Sequence, residues 1–272
     1  MLNWLNTAPL LWIGGLLLAF MSVASIAGYA LRKRRERSGI PQESESQQGY
    51  VVSAVLGLLA LLMGFTFSLA IDRFDTRRVL VLQDANAIGT AYLRTQLLPE
   101  PHRSRLTGLL LEFAETKIAL AKAQPRDAGE LLAHDDRLLT DIWAADAAAF
   151  DAIKSLEFSS SFINSMNAMI DLDASRRAAR RAHVPTLVFA VLLIYLIVTA
   201  GMLGYVLVGR GGRRIGVVLL GLLTLSLLLI LDIDRPTIGG IREDQGPMER
   251  LLVSLKSQPP SVYDRWRTPA PQ

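Results

Sequence analysis

Four stretches of the chain contain no charged residue and are dominated by apolar side chains: Pro9 to Leu31, Tyr50 to Ile71, Val184 to Val208 and Ile215 to Leu231. About 20 such residues cross a bilayer core as a helix. Each stretch is therefore predicted to be a transmembrane helix, the last at the lower limit of length. The second runs on, with no Pro and no turn cluster, into a charged helical pattern that reaches Leu98. A span that continues as a helix beyond the lipid couples an extramembrane part rigidly to whatever the span lines.

Pro99 and Pro101 end that helix, because a prolyl ring cannot continue the i to i−4 ladder. Helical spacing resumes at His102, with Leu106, Leu109, Leu110, Phe113, Ile118 and Leu120 on one face. A turn at residues 124–127 leads to a third helix carrying Leu131, Leu138 and Ile142. A fourth, roughly Ile153 to Ala182, carries Phe162, Met166 and Met169. No alternating strand pattern occurs. The fold class is an all-α membrane protein with four transmembrane helices and a helical extramembrane insert between the second and third. The divisions are 1–49 (first span and basic polar loop), 50–250 (span 50–71, insert 72–183, spans 184–208 and 215–231) and 251–272. The last part is rich in Pro and is expected to lack order.

Composition adds little to this, and charge adds more. Of 272 residues 51% are hydrophobic, and the net charge is +4. The insert is nearly balanced, with 15 Lys and Arg against 16 Asp and Glu over residues 72–183. The excess sits beside the spans, at Arg32, Lys33, Arg34, Arg35 and Arg37 and again at Arg210, Arg213 and Arg214. This is membrane-flanking charge, so no nucleic-acid partner is expected. Basic residues in short connections favour the cytoplasm. The two connections place the insert outside, whereas Arg73, Arg77 and Arg78 at its start and Arg176, Arg177, Arg180 and Arg181 at its end favour inside. The chain has no Cys, which excludes disulfides and thiolate metal sites.

Within the second span Ser53, Gly57, Ala60, Gly64 and Ser68 share one helical face. Such faces let helices approach closely in lipid, either within one subunit or between identical subunits. Phe67, Ile71 and Phe74 lie on another face. They are packed hydrophobes or, in an oligomer, an apolar neck that gates by dewetting. Asp72, Arg73, Asp75, Arg77 and Arg78 mark the charged exit, as an interfacial belt or an ion-attracting vestibule. Asp84 and Asn86 lie on the stem that follows. After the fourth span come Asp232, Asp234 and Arg235, either pinning a helix end or contacting an ion or a residue such as Arg73 or Arg77. Neither a catalytic constellation nor a metal-ligand spacing is present, so no enzyme activity, cofactor or metal is expected.

Residues 64–78 (GFTFSLAIDRF and TRR, on either side of Asp75), 85–94 (ANAIGTAYLR), 97–99 (LLP), 231–236 (LDIDRP) and 239–241 (GGI) resemble the bacterial bestrophin-like domain family, over roughly residues 50–250. The family is distantly similar to bestrophins, which are homopentameric anion channels. The resemblance implies a homo-oligomer in the bacterial inner membrane, a pentamer by analogy, with small anions as permeant partners and Phe67, Ile71 and Phe74 as the neck. It also implies a cytosolic insert, against the charge of the first connection. The alternative is a non-conducting scaffold or sensor whose insert binds a partner.

Overall fold

The computed structural model describes residues 8–38, 45–123, 126–236 and 239–265. Among them the chain is helical, with nine helices and no strand. Four helices are long and apolar enough to cross a membrane. The chain divides into two compact units, residues 1–74 with 182–242, and residues 75–181 with 243–272.

The first unit is built from α1 (Leu10–Arg37), the first half of α2 (Glu45–Thr95), α6 (Thr186–Val206) and α7 (Gly209–Asp234). Pro9 and Pro185 stand just before α1 and α6, where a missing N–H costs nothing. Helices α1 and α6 cross on small residues. A Cβ on Gly28 would lie 2.0 Å from the Gly201 carbonyl oxygen, and one on Gly204 would lie 1.9 Å from that of Ser25. Only glycine allows this approach. The core is apolar, with Leu17, Met21, Leu59, Leu192, Leu196 and Leu227 buried.

The last span is longer than its apolar run suggested. Gly209 adopts φ +77° and turns the chain directly from α6 into α7. The exposed Arg210, Arg213 and Arg214 then form the first turns of a helix of 26 residues. Arg32 donates to the carbonyls of Tyr205 and Val206 at 3.2 and 3.4 Å. The basic end of α1 therefore meets the α6–α7 turn, and both basic clusters gather at one end of the unit.

The second unit holds the rest of α2, α3 (His102–Lys122), α4 (Ala128–Ile153), α5 (Ser159–Arg181), α8 (Gly246–Ser257) and α9 (Pro260–Tyr263). Residues 154–158 form turns, so the fourth insert helix starts at Ser159 and not near Ile153. Its core includes Ile88, Tyr92, Phe113, Ile142, Phe162, Met166 and Met248. A Cβ on Gly89 would meet Leu251 Cδ1 at 3.2 Å, so close packing against α8 explains this helical glycine.

The tail corrects one expectation. Residues 251–272 are expected from their prolines to lack order, yet α8 reaches Ser257 and α9 follows. Pro247 and Pro260 stand in the first turns of these helices, where proline is tolerated. Met248 and Leu255, two turns apart on one face of α8, lie buried. Residues 266–272 lie outside the described residues.

Candidate functional site: the uncovered face of the second helix

In the first unit, Val52, Leu59, Met63 and Ala70 of α2 are buried in the apolar core. Ser53, Gly57, Ala60, Gly64 and Ser68 are all exposed. A Cβ added to Gly57 or Gly64 would meet no heavy atom within 4 Å. Among the described residues of the first unit, this small-residue face packs against no other helix. Large apolar side chains flank it, with Leu61 52% and Phe65 66% exposed and Leu58 and Leu69 also open. Phe67, Ile71 and Phe74 are half-buried and pack against the unit's own core. Asp72 is exposed and Arg73 half-buried at the end of this stretch.

On the second unit's part of α2, Asp75, Arg78, Asn86 and Thr90 are exposed, and Arg77 and Asp84 are buried. Arg77 Nε lies 3.6 Å from Glu243 Oε1, and Arg180 reaches the other carboxylate oxygen at 3.1 Å. Asp84 accepts from Arg176 Nη1 at 2.8 Å, while Nη2 of the same guanidinium donates to Gln245 Oε1 at 2.7 Å. Three of the arginines that sequence placed beside the membrane thus join α2, α5 and the strap before α8.

The insert also holds an ion cluster that sequence reasoning missed. Lys117 donates to Asp135 at 2.6 Å and to Asp173. Arg177 bridges Asp135, Asp136 and Asp173. Lys117 Nζ also stands 4.2 Å from the Phe113 ring centroid, a cation–π distance. The available signal was a Lys four residues after Phe113, on the apolar face of α3. Asp146 is fully buried, and neither carboxylate oxygen has a hydrogen-bond partner among the described residues. Burial pushes its carboxyl up to about 7.

The residues after the fourth span act within the first unit. Asp232 accepts the N–H groups of Gly240 and Ile241 at 2.9 and 3.1 Å. Asp234 accepts the Val184 N–H at 3.0 Å, and Arg235 donates to the Ala8 carbonyl at 2.9 Å. Gly239 has φ +146°, and a Cβ there would lie 2.0 Å from Asp232 Oδ1. Within the first unit, Asp232 and Asp234 thus form a backbone clasp. It ties the end of α7 to the start of α6, the entry to α1 and the loop that follows.

A family model, the Bestrophin-like domain, matches residues 18–242. The chain belongs to the Bestrophin-like domain family. All five motif segments named above fall inside the match. Crystal structures of a bacterial bestrophin homologue from Klebsiella pneumoniae share the fold. One variant is 18% identical, with 92% of this chain and 96% of that chain covered and a TM-score of 0.67. A second is 20% identical over 90% and 99%, also with a TM-score of 0.67. A third structure of the homologue is 18% identical over 90% and 98%, with a TM-score of 0.64. No curated protein matches the sequence. The chain is thus an all-helical membrane protein of bestrophin-like fold.

Proposed function

We propose that this protein is a homo-oligomeric ion channel of the bacterial inner membrane, with the uncovered face of α2 turned toward the pore axis. The observation that carries this reading is the exposure of Ser53, Gly57, Ala60, Gly64 and Ser68 along one face of a spanning helix. Small residues in lipid favour close helix approach, and no other described helix of the first unit takes the position. Identical subunits around an axis would fill it. Leu61, Phe65 and Leu69 then project beside the axis as the apolar constriction, a device that gates by dewetting. Phe67, Ile71 and Phe74 back this constriction from the protein side. Asp72, Asp75 and Arg78 ring its mouth. Anion selectivity and five subunits are taken from the family likeness to bestrophins.

Charge supports one orientation. Eight basic residues gather at the α1 and α6–α7 end, in short connections, where the positive-inside rule is strongest. Long insertions translocate largely regardless of charge, and four of the insert's flanking arginines, Arg77, Arg176, Arg177 and Arg180, are engaged with acids. The basic end therefore faces the cytoplasm and the connection carrying residues 75–181 leaves on the opposite side. This reverses the arrangement that the likeness to bestrophins implies.

Anion efflux from liposomes containing the full chain tests the channel reading. Efflux is expected from the native sequence and is expected to fall with Gly64→Leu, which blocks close approach. An oligomer that supports no efflux would favour the scaffold reading.

A further inference from the structure

The basic end of the first unit carries a groove that the channel reading does not use. It has a volume of about 290 Å³ and lies between α1, α6 and α7, with Ser25, Tyr29, Leu207, Arg213, Val217 and Leu220 among its lining residues. Its chemistry is graded along its length. Arg213 stands near one end, and Val217 and Leu220 follow one and two turns deeper along α7. Seven residues of helix span about 10 Å, so the groove runs from a cationic mouth into the apolar depth of the span. Val217 is 70% exposed, so the groove opens toward lipid.

The charge around the mouth is almost all of one sign. Arg32 is committed to Glu36 and to the end of α6. The other basic residues of both clusters are exposed, and among the described residues Arg213 makes only a long contact of 3.4 Å to the Gly209 carbonyl in its own turn. Glu36 is the single acid between the two clusters among the described side chains. Basic pockets between spanning helices suit anionic lipid headgroups. The hydroxyls of Ser25 and Tyr29 suit the polar part of a glycerophospholipid, and the apolar floor suits one acyl chain.

We infer that this groove is a binding site for an anionic phospholipid, its phosphate held by Arg213 and one acyl chain lying along Val217 and Leu220. A zwitterionic lipid offers no net charge to the mouth. A free phosphate ester would leave the apolar floor empty.

Native mass spectrometry of the full chain in mild detergent tests this, with phosphatidylglycerol, phosphatidylcholine of the same chains, and glycerol phosphate as probes. Retention of phosphatidylglycerol alone is expected. One basic residue near an anionic headgroup is worth about fivefold in affinity, so Arg213→Ala should weaken retention by about that factor. Gly216→Leu should weaken it with every arginine intact, because its Cβ would stand 3.6 Å from Leu207 Cδ1 and the larger side chain would fill the groove. Lys33→Ala should change retention less than twofold. Equal retention of phosphatidylcholine overturns the inference. So does displacement by glycerol phosphate at matching concentration, which would mark a free-phosphate site. Equal losses from Arg213→Ala and Lys33→Ala, with none from Gly216→Leu, would mean diffuse attraction and would also overturn it.

Discussion

Asp234 holds Val184: its Oδ1 accepts the Val184 N–H at 3.0 Å, so the last residue of α7 fixes the chain just before α6. The same short segment sends Asp232 to the loop at Gly240 and Arg235 to the entry of α1. The motif that carries much of the family signature is a structural clasp in this chain.

Removing the carboxylate strands a buried N–H. Asp234→Ala is expected to cost about 2 kcal/mol, the range for a buried hydrogen bond to a charged group. Asp234→Asn keeps an acceptor and should cost less. Thermal unfolding of the detergent-solubilised protein checks both, and equal losses would contradict the clasp.

The glycines of the clasp are expected to be as strict as the acids. Gly239→Ala would force a Cβ against Asp232 Oδ1 from a backbone conformation that L residues rarely adopt. It should lower the unfolding midpoint clearly. Gly216→Ala, whose Cβ meets nothing closer than 3.6 Å, should leave the midpoint nearly unchanged in the same assay.

Asp146 makes the insert sensitive to pH. Its carboxyl is held up to about 7 by burial, against 3.8 for the ordinary group. Between these values the folded state keeps a proton that the unfolded chain has lost. The contribution of this group to stability therefore falls as pH rises from about 4 to about 7, and is flat above. Asp146→Asn should stabilise the protein by about 1–3 kcal/mol near pH 8 and change little near pH 4. Unfolding midpoints across this range read the difference, and a variant curve parallel to the native one would contradict it.

The spans and the break at Pro99 and Pro101 were legible because they rest on composition and backbone chemistry within a few residues. The small-residue face was legible as a face, but its exposure was not, since that depends on where α1, α6 and α7 pack. Sequence singled out Phe67, Ile71 and Phe74 and passed over Phe65, because which side of α2 the core occupies is set by packing. The ion cluster was hidden because an insert with balanced charge reads as a solvated surface. Its mark was subtle: Lys117 and Asp135 occupy positions in register with Phe113 and Leu138, on faces that are otherwise apolar. The prolines of the tail misled because their position in a helix, and not their number, decides whether they break it.

Orientation can be read directly, since the chain has no native Cys. Ser38→Cys lies at the basic end and Ser155→Cys in the turn between α4 and α5, both exposed. With a membrane-impermeant maleimide, Ser155→Cys should label in cells whose outer membrane alone is permeabilised. Ser38→Cys should label only after lysis. The reverse pattern would place the insert in the cytoplasm, as in the family analogy.

The most direct measurement of the central claim is current through the full chain in planar bilayers, native against Phe65→Ala and Phe67→Ala. If the uncovered face of α2 lines an apolar constriction, the native chain conducts. Phe65→Ala then raises the resting current by relieving dewetting, and Phe67→Ala, half-buried behind the face, changes it far less. An assembled oligomer that carries no current, or a larger effect at Phe67 than at Phe65, would contradict the account.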